Sequence, residues 1–157
     1  MLAAANTAID KKNPAALPFS ALSKDLAINT LSVLAAADEA VKSFRELPKD
    51  VPKAFIYTGN ILNINPIPGL LSNGIGKAAT AHLISTMAAA YRDEGFNFYY
   101  ADERKADGSP AYAAVDGEAH ARMYLQLAEG KESVPCFATF VKGVGYKAFS
   151  SDARSKV

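Results

Sequence analysis

AFIYTGNILNINPIPGLLSNGIGKAATAHLISTMAAAY, residues 54–91, decides the fold. Its first residues, Ala54-Phe55-Ile56-Tyr57, are apolar and aromatic and predict a buried strand, which Thr58-Gly59-Asn60 ends. Pro66-Ile67-Pro68-Gly69 is loop chemistry. From about Gly74 the chain reads as an alanine-rich helix to Glu94, with Gly95 as its C-terminal stop. Gly76, Ala78, Ala79, Ala81, Ala88, Ala89 and Ala90 keep that helix slim, so another element must approach its axis closely.

Upstream, residues 6–18 are polar, carry two prolines and predict a loop. Ser20 is the expected N-cap of a helix from about Ala21 to Leu47, stopped by Pro48. Leu22, Leu26, Val33, Ala37, Val41 and Phe44 give that helix a core face. Ala27, Leu31 and Leu34 widen the stripe enough to face a second neighbour, such as a partner helix. Downstream, Phe96-Asn97-Phe98-Tyr99-Tyr100 predicts a second strand, and the polar run Ala101 to Val115 predicts a long loop. Within it, Asp102-Glu103-Arg104-Lys105 reads as a solvated turn. Asp116 should cap a third helix to about Ala128, ended by Gly130. Pro135 to Val141 predicts a third strand, broken by Gly143-Val144-Gly145. Met1 to Ala5 reads as the end of a buried strand, and the charged tail from Ser150 as frayed.

The order α-β-α-β-α-β implies one α/β domain over residues 1–157, with a short parallel sheet and helices on its faces in three layers. Such sheets bind ligands beyond the carboxyl ends of their strands. Those ends are Thr58-Gly59-Asn60, Ala101-Asp102-Glu103-Arg104 and the residues after Val141. A net charge of +1 gives no electrostatic footprint for nucleic acid. Cys136 is the single cysteine, which excludes an internal disulfide and fits a reducing, cytoplasmic setting. Lying in an apolar run, it reads as an inert buried thiol. No apolar run reaches the roughly 18 residues of a membrane helix. His82 and His120 lack metal-ligand spacing, so no metal site is expected.

Strand, polar turn, Pro-Gly loop, then a helix carrying a lone lysine: this order is similar to the catalytic segment of the short-chain dehydrogenase/reductase family. The resemblance implies the C-terminal part of a Rossmann-like domain. Met1 to Ala5 would then be the end of the family's fourth strand, and the strands near residues 54, 96 and 136 its fifth, sixth and seventh. The helices near residues 21 and 74 resemble the pair that forms the family's four-helix dimer interface, which implies a two-fold homodimer through helices 21–47 and 74–94. The sheet edge left open by absent strands also invites another chain. The family's Gly-rich dinucleotide turn is not found after any strand here, so tight NAD(P) binding by this chain alone is not expected.

The family's catalytic set is Asn, Ser, Tyr and Lys, with Tyr-x-x-x-Lys at its centre. Lys77 matches the lysine, which in the family also contacts the cofactor, and Asn29 in Ile28-Asn29-Thr30 matches the helix asparagine that holds a water. Asn73 stands where the tyrosine is expected, and Asn60 where the serine is. An asparagine has no titratable proton near neutral pH and cannot act as general acid. Asn60 can still hydrogen-bond a carbonyl, and Thr58, two residues earlier, can supply a hydroxyl. The plainer reading makes Asn60 and Asn73 turn residues, Asn29 a buried anchor and His82 a packing residue. Glu118 and His120, two apart on a helix, do not share a face for acid–base work. Tyr99, Tyr100 and Tyr112 flank the long loop and could line an apolar pocket.

The resemblance thus points to a degenerate oxidoreductase, a pseudoenzyme that binds a small carbonyl compound or a partner chain. Two alternatives stand beside it: a portion of a working NAD(P)-dependent reductase, and a non-redox isomerase or cyclase with Lys77 as base.

Overall fold

Strand β1 (Lys53–Thr58) and strand β2 (Phe96–Arg104) pair in parallel from Lys53 opposite Phe96 to Thr58 opposite Ala101. β2 continues in parallel with β3 (Phe137–Val141), and a two-residue β4 (Gly145–Tyr146) closes the order β1-β2-β3-β4 antiparallel to β3. The computed structural model describes residues 4–149. The Met1–Ala3 part of the expected strand end and the tail from Ser150 lie outside the described residues. Ala4 and Ala5 belong to no strand, and among the described residues β1 has no partner on its outer edge.

The chain divides into two units, Met1–Ala40 with Ile61–Leu83, and Val41–Asn60 with Ile84–Val157. The second unit holds the sheet. Alternation sorts its strands: Phe55 and Tyr57 lie with Phe98 and Tyr100, while Ala54 and Ile56 lie with Tyr99 and Ala101. On the first face, Phe44 from α2 (Ser32–Glu46) meets Phe96 and Phe98 edge-on at 5.3 and 6.4 Å. Tyr91, just after α3 (Leu71–Ala90), packs on the same two rings. On the other face, Ala119, Met123 and Leu127 of α4 (Gly117–Glu129) close a core with Tyr99, Ala101, Ala138 and Phe140. These are the three expected layers, a partial Rossmann-like α/β arrangement. Asp116 caps α4 by accepting the Ala119 N–H at 2.8 Å, and Gly130 ends it at φ 62°, as the sequence predicts.

Several expectations are corrected. β2 does not stop at Tyr100 but runs to Arg104, and Asp102, Glu103 and Arg104 are buried rather than solvated. Opposite charges two apart on one strand face neutralise each other: Arg104 Nε and Nη2 lie 2.6 and 2.5 Å from Asp102 Oδ2. Glu103, facing the other way, accepts the Asp116 N–H at 2.8 Å and meets His120 Nδ1 at 3.3 Å. Further, the break after Val141 is a tight turn into β4. His82 is exposed on the chain rather than packed within it. Cys136 is only half-buried, yet burial still pushes its thiol up, consistent with an inert role.

The remaining correction concerns the first unit. Its leading helix starts at Phe19, with Pro18 as N-cap, so Ser20 sits inside the first turn. α1 (Phe19–Leu26) passes into α2 through a π-helical segment, Ala27–Leu31, in which the Ser32 N–H reaches back five residues to the Ala27 carbonyl. The Ser32 hydroxyl takes the Ile28 carbonyl at 2.6 Å, which supports the widened turn. α3 begins at Leu71, three residues before the expected start, because Ile67-Pro68-Gly69-Leu70 forms a turn closed by Leu70 N–H to Ile67 C=O. Gly69 there has φ 90°, a conformation that favours glycine at this position. α3 ends at Ala90, and Gly95, at φ 73°, closes the short 3₁₀ turn that follows.

Candidate functional site

In the first unit, Asn29 sits inside the π-helical segment and is 2% exposed. Single-turn widenings of this kind often mark functional positions. The Asn29 amide donates to the Ala5 carbonyl at 2.7 Å and accepts the Ala5 N–H at 2.8 Å, so its side chain is spent on backbone. The Asn29 carbonyl accepts the Thr80 hydroxyl of α3 at 2.8 Å. Gly76 makes this approach possible: a Cβ there would stand 2.6 Å from Asn29 Cβ. Nearby, Asp25 is 5% exposed and accepts the Ser72 hydroxyl at 2.5 Å and the Thr7 N–H at 2.6 Å. The Ser72 bond, followed by the Thr7 N–H, holds its carboxyl below the usual range against the desolvation of burial.

The same geometry puts Asn73 and Lys77 one turn apart on α3. Asn73 is therefore a helix residue, not a turn residue as its type suggested. Lys77 is 5% exposed and has interactions within the protein. The amide oxygen of Asn73 is buried without a hydrogen-bond partner. Such a group commonly marks a contact to water or ligand.

In the second unit, Thr58 and Asn60 mark the carboxyl end of β1. The Thr58 hydroxyl and the Tyr124 hydroxyl of α4 share a hydrogen bond of 2.7 Å, and burial pushes the Tyr124 phenol up. Gly59 N–H continues the ladder to Ala101 C=O at 2.7 Å. Asn60 is held through its backbone: its N–H reaches the Tyr100 hydroxyl at 3.1 Å, and that hydroxyl donates to the Asn60 carbonyl at 2.8 Å. Tyr100 is 2% exposed, and burial raises its phenol well above the ordinary value. No left-handed φ is needed at Gly59; what requires glycine is the Tyr100 ring, which a Cβ would overlap. Asn60, too, has no left-handed φ, so its turn needs none of asparagine's special tolerance. Sequence reasoning named Tyr100 as a pocket candidate but missed its grip on Asn60, and missed Tyr124 entirely. The signal available was Gly59, a bare residue at the end of an aromatic strand. Tyr112, also flanking the loop, is exposed and has φ 48°.

A dinucleotide needs a strand-to-helix turn with bare N–H groups at a helix N-terminus. Among the described residues, the turn into α4 ends in the Asp116 carboxylate, which already occupies the Ala119 N–H and repels phosphate. The connection from β1 to α3 is a long loop with two prolines. These residues do not fit a pyrophosphate. No group of three His, Cys, Asp or Glu among the described residues could hold a metal ion, and none of the described helices is long and apolar enough to cross a membrane.

No protein-family model matches the chain. It is 44% identical over 151 residues to a short chain dehydrogenase/reductase named dmxR12 from Cryptosporiopsis sp. (strain 8999). The match takes in 96% of this chain and 61% of that protein. Over nearly all its length, then, the chain is similar to the greater part of a short-chain dehydrogenase/reductase, and it spans less than two thirds of that relative.

Proposed function

We propose that this chain is a short-chain dehydrogenase/reductase relative in which the catalytic positions no longer transfer a proton, a binding protein or partner subunit rather than a self-sufficient NAD(P)-dependent reductase. The observation that carries this reading is Asn73, one helical turn before Lys77 on α3. In the family that place belongs to the tyrosine that exchanges a proton with the substrate carbonyl. An amide cannot do so at neutral pH. Its buried, unpartnered oxygen still suits contact with a bound molecule. Within the first unit, Lys77 stands as a cation one turn from that amide and Asn29 as the anchor that shapes the π-helical segment; within the second, Asn60 and Thr58 each offer a group able to hydrogen-bond a small carbonyl compound. The turn at Asp116 argues against a seat for the pyrophosphate among the described residues.

Purified chain is expected to oxidise neither NADH nor NADPH with a panel of ketones, aldehydes and quinones. Saturable, cofactor-dependent turnover would refute the reading.

A second reading, a portion of a working NAD(P)-dependent oxidoreductase, is favoured by one observation: the chain spans 61% of its relative. An upstream reading frame encoding a Gly-rich turn, with turnover once both parts are joined, would select it. The third, a non-redox isomerase or cyclase, predicts activity lost in Lys77→Met.

For the assembly, Leu31 and Leu34 are 60% and 45% exposed on the first long helix. These apolar side chains suit a two-fold dimer through helices 21–47 and 74–94. Sedimentation should give a dimer that Leu34→Glu converts to monomer; a monomeric parent would exclude it.

A further inference from the structure

A cavity of about 540 Å³ lies in the first unit, between the loop 62–70 and the start of α3. Its size falls within the range of small-molecule sites, ~300–1,000 Å³. Ile64, Ile67, Leu71 and Ile75 line it, with Pro66 and Pro68 beside them. The loop is built rather than loose. Asn65 N–H and Ile64 N–H both return to the Ile61 carbonyl, Leu70 N–H to Ile67, and Gly74 N–H to Leu70. Asn6 donates to the Gly69 carbonyl at 3.3 Å, and the Lys11 stem lies over Gly69, with Cγ 3.1 Å from where a Cβ would stand. A cavity walled by prolines and internally bonded turns needs little ordering when a ligand enters. Lys11 is the one charged residue among the described residues lining it, with no Asp or Glu beside it there.

We propose that this cavity binds a small apolar molecule carrying one anionic oxygen group, a carboxylate or phenolate, whose hydrocarbon fills the isoleucine and leucine wall while the anion meets the Lys11 ammonium. Neither Asn60, Asn73 nor Lys77 is among the residues lining it, so the inference stands apart from the proton-transfer question.

The test uses 2-naphthoate and its neutral counterpart 2-naphthylmethanol, titrated into the full chain with ¹³C-labelled isoleucine methyls. Saturable shifts are expected at Ile64, Ile67 and Ile75, with the acid binding about fivefold more tightly than the alcohol, the size of one exposed ion pair. Lys11→Met should bring the acid down to the alcohol and leave the alcohol unchanged. Gly74→Leu should abolish both: the backbone there accepts a Cβ, whose nearest neighbour would be the Leu62 carbonyl oxygen at 3.8 Å, and the added side chain enters the cavity. If Gly74→Leu does not fold, Lys11→Met carries the test alone. Absence of saturable shifts at millimolar probe, equal affinity for the two probes, or an acid affinity that Lys11→Met leaves intact would each overturn the proposal. Lys11→Met leaves α3, and with it Lys77 and Asn73, unchanged, so its result is read separately from the cofactor assays.

Discussion

Gly59→Ala should be among the most damaging single-methyl additions to this chain. The Cβ would overlap Cε1 and Cδ1 of Tyr100 and stand 2.5 Å from Cζ. Tyr100 has little room to withdraw: it is 2% exposed, with Tyr57 and Phe137 rings at 5.6 and 6.0 Å. Overpacking of a filled core costs about 1–3 kcal/mol. Moving the ring also breaks two hydrogen bonds to the Asn60 backbone, at about 0.5–1.5 kcal/mol each. The expected loss is thus about 2–6 kcal/mol, comparable with the whole stability of a domain, about 5–15 kcal/mol. Urea unfolding followed by circular dichroism measures it. The decisive comparison is a double-mutant cycle. With Tyr100→Ala the clash is gone, and because Gly59 has no left-handed φ the added methyl should be neutral or stabilise by up to about 1 kcal/mol. A Gly59→Ala protein within about 1 kcal/mol of the parent, or a cost that persists in the Tyr100→Ala background, would refute the reasoning.

Gly76→Ala should cost about 1–3 kcal/mol in urea unfolding, because its methyl meets Asn29 Cβ at 2.6 Å and must push α3 from the π-helical segment. Asp102→Asn should cost about 3–5 kcal/mol by leaving the buried Arg104 charge without its carboxylate, whereas replacing both partners by apolar residues should cost far less; equal losses would show that the pair is not acting as a unit. Asp25 has a lowered carboxyl in the folded chain, so its stabilisation is present above the ordinary value of 3.8 and is lost as pH falls through the lower folded value. Asp25→Asn should therefore flatten the acid limb of the stability–pH curve below about pH 4, and an unchanged limb would exclude Asp25 as a contributor. Asn73→Tyr should place a phenol one turn from the Lys77 ammonium, and ¹³Cζ-tyrosine resonances should show it titrating below the ordinary value of about 10; titration at or above that value would mean Lys77 is not placed to activate a neighbour.

The sheet was legible because its alternation is strong: Phe96, Phe98 and Tyr100 point one way and Tyr99 and Ala101 the other, each toward a different helical layer. The caps of α4 were legible for the same local reason, an Asp and a Gly at fixed offsets. What was not legible depended on partners far along the chain or on cancellation between neighbours. Asp102-Glu103-Arg104 looks like a turn because each residue alone resists burial. Two of them cancel across one strand face, and the third finds an N–H and an imidazole thirteen and seventeen residues on. The π-helical segment leaves no period in the sequence to detect, and its evidence is spread over Ser32, Gly76 and Thr80.

The candidate site shows the same division. Lys77, Asn73, Asn60 and Asn29 were named through the family resemblance, but their surroundings come from long-range contacts. Tyr100 grips the Asn60 backbone from forty residues away, and Tyr124 holds Thr58 from sixty-six. Tyr57 and Tyr100 occupy the sheet face that carries Phe44, while Tyr124 belongs to α4 on the other, so the carboxyl end of β1 is pinned from both layers. Burial raises both phenols, that of Tyr100 far more. The hydroxyls nearest this strand end hold its shape, Tyr100 through the Asn60 backbone and Tyr124 through the Thr58 side chain.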